Sequence, residues 1–157
     1  MRPSRRGWNI RRKFMKLTNH FSFEELTVTN YSAEMLALNR KRATIIQDHI
    51  YKLALFAEQV RAILDVPMII TSGFRCTELN EAIGGSATSQ HATAQAIDFV
   101  PGKFMTVEEA YDKLRKSRLV YGQLIIEHSK GKEWVHVSMG YKRENLKYND
   151  GKYTKGE

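Results

Sequence analysis

The stretch Ser89-Gln90-His91-Ala92-Thr93-Ala94-Gln95-Ala96-Ile97-Asp98 decides how the chain is read. It sets an imidazole and a carboxylate seven residues apart and runs on into Phe99-Val100, so its second half has the character of a buried strand. The first half, from Gly84 to Thr93, is small and polar and reads as a loop. A loop histidine and a strand aspartate at this spacing can face one centre, because the residues between them suffice for a turn. A second imidazole follows in Glu133-Trp134-Val135-His136-Val137. Two histidines and an aspartate form a three-ligand set of the kind that holds one zinc ion in a hydrolase and leaves a position for water. Taken singly, Asp98 reads as an ordinary strand-end acid and His136 as a satisfied core histidine; the joint pattern carries the argument.

Composition narrows the chemistry. The chain has 157 residues and one cysteine, Cys76, so it has no intramolecular disulfide and no thiolate cluster. A metal must be held by His and carboxylate. Its 42% hydrophobic content fits a soluble globular domain. The net charge of +8 is misleading. Seven basic residues and no acidic ones fall in the first sixteen positions, from Arg2 to Lys16, and the remainder is nearly neutral. Residues 1–14 therefore read as a basic, disordered extension, a leader or fusion scar, and residues 15–157 as one domain. The competing reading gives the arm an anionic polymer to bind, such as nucleic acid, teichoic acid or anionic lipid. No apolar run has the length of a signal peptide or membrane span, which places the protein in the cytoplasm as synthesised.

Working outward, Ser22-Phe23-Glu24-Glu25 and Thr106-Val107-Glu108-Glu109 have the spacing of capping boxes that open helices. Ile46, Ile50, Leu53, Ala57, Val60 and Leu64 mark one face of a helix from about Arg40 to Leu64, with His49 beside the stripe as a structural or surface residue. Met68-Ile69-Ile70-Thr71 reads as a strand after Pro67, and Thr77 as the N-cap of a short helix ended by Gly84-Gly85. Gln123–His128 and Glu133–Met139 form a hairpin around Lys130-Gly131. From about residue 140 the chain is polar and reads as a peripheral tail. The class is α+β, with a small antiparallel sheet carrying the metal site and helices packed against it.

A zinc hydrolase also needs a base. Glu133 lies three residues before His136, so local spacing favours it. Glu127 sits opposite Trp134 in the expected hairpin and shares a face with His136, so pleating favours it. Arg75, after Ser72-Gly73-Phe74, is placed to grip a substrate carboxylate or an oxyanion. Trp134 can close the site against an apolar group. For each, the plain alternative is a surface charge or a core aromatic.

These residues resemble the zinc D-alanyl-D-alanine peptidases, a family that includes D-Ala-D-Ala carboxypeptidases, vancomycin-resistance dipeptidases and phage L-alanyl-D-glutamate endolysins. Ser89, His91, Ala96 and Asp98 match the Ser-x-His-x-x-Gly-x-Ala-x-Asp signature in register, Glu133-Trp134-Val135-His136 matches its downstream acid-x-x-His, and Ser72-Gly73-Phe74-Arg75 is similar to its Ser-Gly-Tyr-Arg turn. Met15-Lys16-Leu17-Thr18-Asn19-His20-Phe21 resembles the start of the phage-type members. The resemblance implies a fold shared with the hedgehog signalling domain, zinc held by His91, Asp98 and His136, Ser89 and Trp134 facing substrate, and Arg75 assisting the oxyanion. It implies Glu133 as the base by the downstream motif, with Glu127 second because Gln123-Leu124-Ile125-Ile126-Glu127 is similar to a phage-type strand. Ala94 stands where the signature has glycine, so positive φ there would carry a steric cost. The implied activity is hydrolysis of a D-amino-acid-containing peptide of peptidoglycan, reached after release or lysis. An alternative is a non-catalytic wall-binding or signalling module that keeps the zinc.

Overall fold

The structure is a computed structural model and describes residues 14–156. The basic arm expected to be disordered lies, up to residue 13, outside the described residues. The fold is α+β, built on a six-stranded sheet: β1 (Ile69–Ser72), β2 (Ala96–Val100), β3 (Gln123–Ser129), β4 (Lys132–Ser138), β5 (Glu144–Asn149) and β6 (Lys152–Lys155). Their order is β1-β2-β4-β3-β5-β6. Every neighbouring pair is antiparallel except β3 and β5, which run parallel.

Alternation along the strands gives the sheet two different faces. Ile97 and Phe99 of β2, Leu124 and Ile126 of β3, and Val135 and Val137 of β4 are buried in the hydrophobic core. Covering them are α3 (Gln47–Leu64) and α5 (Val107–Arg115). The opposite face carries Asp98, His136, Trp134, Ile125 and Glu127, and it opens onto a cavity.

Both capping boxes form. Ser22 caps α1 (Phe23–Leu26) and Thr106 caps α5, each with the reciprocal glutamate bond to the cap backbone. The stripe from Ile50 to Leu64 is buried as its spacing requires, and His49 is exposed. The expected single helix from Arg40 is instead two, because the chain breaks at Ile46 (φ −117°, ψ 38°) between α2 (Ala33–Ile45) and α3. In α2 only Asn39 and Ala43 are buried, so it shows no apolar stripe and its start at the Ser32 cap left little periodic trace. α4 (Thr77–Ala82) follows Cys76 as N-cap rather than Thr77.

The largest correction concerns the C-terminus. The expected peripheral tail forms β5 and β6, which continue the sheet beside β3. The connection is held by Arg143, whose guanidinium donates to the carbonyl oxygens of Leu119, Arg115 and Ser117 at 2.8–2.9 Å and lies over the Tyr121 ring. A cation at the carbonyl end of α5 also answers the helix dipole. Lys130-Gly131 and Asp150-Gly151 both take positive φ, the geometry of tight two-residue hairpin turns. The second of these was visible in the sequence and is the signal that could have revealed the strands.

Candidate metal centre

β2 and β4 are paired so that Asp98 lies directly opposite His136. His91 arrives from a short 3-10 helix, Gln90–Thr93, whose N-cap Ser89 accepts the His91 N–H at 3.3 Å. Three ligand atoms, one from each residue, lie within 4.8 Å of one another, and all three side chains are buried. Asp98 Oδ1 is 3.2 Å from His91 Nε2 and 2.8 Å from His136 Nδ1.

The orientation of His91 is fixed from behind. Its Nδ1 is 2.7 Å from the Gly73 carbonyl oxygen, which can only accept, so Nδ1 carries the proton. In the neutral ring Nε2 is then a lone pair aimed at the centre that Asp98 faces, the arrangement a metal-ligating histidine needs. The Gly73 carbonyl is held there because residue 73 packs against α1: a side chain at this position would collide with the Leu26 carbonyl. Asn39 supports the same turn, donating to the Thr27 and Phe74 carbonyls and accepting from Cys76 N at 2.7 Å. Neither role was readable from the sequence: the Ser72-Gly73-Phe74-Arg75 turn was singled out there for Arg75 and not for its glycine carbonyl, and a helical Asn carries no such mark.

Burial by itself would raise the Asp98 carboxyl, but the positive charge of the two imidazoles when they are protonated, and the hydrogen bonds they then donate, outweigh it and hold the group far below the ordinary carboxylate range. Asp98 therefore presents an anion. Two imidazole nitrogens and one carboxylate oxygen, buried and convergent, make a donor set that fits one zinc ion.

Around this centre the structure brings together most of the residues singled out by sequence. Arg75 donates from Nη2 to Asp98 Oδ2 at 3.1 Å and from Nε to Ser72 Oγ at 2.8 Å, so its guanidinium is held at the rim of the site. Ser89, Trp134 and Glu127 line the same cavity of about 840 Å³. The two glutamates part company. Glu127 pairs with Trp134 across the hairpin, on the face that bears His136. Glu133 pairs with His128 and points to the other face, where its carboxylate is 3.2 Å from His128 Nδ1 and half exposed. Glu127 is pushed up to about 7, first by burial and then by the charge of Asp98, against the opposing pull of His136 and Arg75.

Ala94 adopts the left-handed conformation at φ 55° and ψ 41°. The position does call for positive φ, and alanine occupies it at the end of the 3-10 turn. Among the described residues no helix is long and apolar enough to cross a membrane.

No curated protein matches the sequence closely enough to serve as a relative. A family model described as peptidase M15 matches residues 19–138, a span that begins just before α1 and ends with β4. It takes in all three donors, the turn that orients His91 and the cavity's Arg75 and Glu127. Peptidases of this family are zinc dependent, and with most of its length matched and a donor set that fits the ion, the chain belongs to the peptidase M15 family.

Proposed function

We propose that the protein hydrolyses a D-amino-acid-containing peptide bond in peptidoglycan, with Glu127 as the general base. The observation that carries this reading is the placement of a second, half-buried carboxylate on the same face of the sheet as Asp98 and His136, two register positions along from the His136 pair, with its affinity for protons raised to the neutral range while that of Asp98 is suppressed. Two carboxyl groups pushed apart in this way divide the work between ligand and base.

His91, Asp98 and His136 would hold zinc, which when bound supplies a Lewis acid for a carbonyl oxygen and acidifies water. Glu127 takes a proton from the attacking water at one carboxylate oxygen and returns it to the leaving amine nitrogen as the C–N bond breaks. A group that titrates near neutrality can do both. Arg75, fixed through Ser72 Oγ, is positioned to carry the charge that develops on the carbonyl oxygen or to hold a substrate carboxylate. Trp134 gives the cavity an apolar surface for a substrate methyl. Glu133, paired with His128 on the far face, has no part in this scheme.

The test is digestion of purified sacculi by zinc-loaded protein, followed by mass analysis of the soluble fragments. New amino termini at one stem-peptide bond are expected, and the masses identify that bond and whether the cut is internal or terminal. Intact sacculi after treatment with a stoichiometrically loaded protein would sink the proposal. A role as a phage lysin fits the same activity, since such an enzyme meets the wall on lysis.

A further inference from the structure

The hairpin β5–β6 lies beyond the part of the chain that the family model matches. It nevertheless contributes to the cavity that holds the metal centre. Trp134, Glu127, Tyr148 and Tyr153 stand in one row across β4, β3, β5 and β6, each paired in register with the next. All four line the cavity. The two tyrosine rings are 4.7 Å apart between centroids and tilted by 51°, and Tyr153 remains 58% exposed.

A cross-strand tyrosine pair is an ordinary device for holding a hairpin together. Here it also leaves an open aromatic surface continuous with the base and the metal ligands. Strands in a sheet are spaced by about 4.8 Å, so β3, β5 and β6 carry the cavity floor roughly 14 Å past the metal centre. An extended peptide advances about 3.3 Å per residue, so that floor takes about four residues. A free dipeptide bound at the metal would leave it bare.

Resting on the reading of the site as a peptidoglycan peptidase, we propose that the C-terminal hairpin is the wall of an extended subsite, with Tyr148 and Tyr153 packing against the peptide that continues from the scissile bond. The substrate class is then a stem peptide of several residues, and not a dipeptide. The aromatic rings supply rigid, amphipathic contact area at small cost in side-chain entropy.

The experiment compares a dipeptide, a tripeptide and a pentapeptide that share the bond identified from sacculus digestion, using zinc-loaded full-length protein. For the wild type, kcat/KM is expected to rise about tenfold or more with length. Tyr148→Ala and Tyr153→Ala should each raise KM for the pentapeptide with kcat little changed, and leave the dipeptide as it was. Tyr153→Phe, which keeps the ring, should behave as wild type. Equal treatment of all lengths by the wild type, or an equal loss on short and long substrates in the alanine variants, overturns the proposal; so does no loss at all.

A second measurement stands apart from turnover. Binding of an uncleaved stem pentapeptide of L- and D-residues to zinc-loaded Glu127→Gln protein is followed by calorimetry, with and without Tyr153→Ala. Weakening by about tenfold supports the wall, whereas unchanged or undetectable binding of the pentapeptide overturns it. If the wild type cuts no peptide of any length, the proposed activity fails, and this binding comparison still decides whether the hairpin holds peptide.

Discussion

Glu127 and Glu133 lie six positions apart in one hairpin and meet opposite fates. Glu127 is half buried on the face that carries His136, and its proton affinity is raised into the neutral range. Glu133 is exposed on the other face and paired with His128. Both sit in strands of ordinary pleat, and the difference comes only from parity: in the register Glu127↔Trp134, His128↔Glu133, residues of β4 with even numbers share the site face. Nearness in sequence to a candidate metal donor therefore says less than position on the sheet. A chemical role needs the right side chain on the right face, and a strand offers only every second residue.

The sharpest way to break this comparison is to remove the centre to which both glutamates are referred. His91→Ala deletes one of the three donors proposed to hold zinc, and zinc content after dialysis is expected to fall from one ion per chain to nearly none, with peptidase activity down by about a thousandfold or more. Metal analysis beside a sacculus assay checks it; full zinc occupancy in the variant would dismiss this donor set. Next comes the pair itself. Glu127→Gln should lower kcat by about 10²–10⁴-fold while keeping the metal, and Glu133→Gln should stay within about twofold of wild type. The opposite ranking would mean that the hairpin acts through its other face.

Much of the site could be read without coordinates because its chemistry is written locally. His91 and Asp98 stand within one short span whose intervening residues suffice for a turn, and alternation along the strand puts His136 on the face opposite Val135 and Val137. The capping boxes at Ser22 and Thr106 were legible for the same reason, each being complete within four residues. What was not legible depended on distant partners. The break at Ile46 interrupts a stripe that spacing alone makes continuous, and the helix before it buries only Asn39 and Ala43. Strands β5 and β6 are polar because they lie at the sheet's edge, where alternation of apolar residues is not required; their pairing rests on Arg143 reaching carbonyls 24–28 residues earlier in the chain. The Gly73 carbonyl that orients His91 is invisible in any pattern of side chains.

The raised proton affinity of Glu127 gives the comparison a thermodynamic form. Its folded value of about 7 lies above the ordinary 4.5, so between those limits the native state binds more protons than the unfolded chain. Stability associated with this group is therefore present below about pH 4.5 and lost as pH rises through about 7. In chelated protein, where no cation offsets the charge, Glu127→Gln should match wild type near pH 4 and exceed it by about 1–2 kcal/mol at pH 8, a figure reduced from the full shift because the carboxylate is partly reached by solvent. Urea unfolding at the two pH values measures the difference. A pH-independent gap for Glu127→Gln would remove the buried carboxylate from the account.

The smallest effect tests the one position where the chain departs from the signature it resembles. Ala94 holds φ 55° with its methyl buried, and its N–H is bonded to the His91 carbonyl at 3.2 Å. A left-handed conformation costs an L-residue about 1–2 kcal/mol, which glycine would relieve. Against that, glycine gives the unfolded chain about 0.5–1 kcal/mol of extra freedom, and loss of a buried methyl removes up to about 0.8 kcal/mol. The terms nearly cancel, so Ala94→Gly is expected to lie within about 0.5 kcal/mol of wild type in urea unfolding and to leave zinc content unchanged. A gain above about 1 kcal/mol would show that strain in the loop outweighs the packing of the methyl, and a comparable loss the reverse. Near-neutrality explains how the turn delivers His91 to Asp98 without the glycine: the methyl fills space in the core, and that packing offsets the backbone strain that the turn demands.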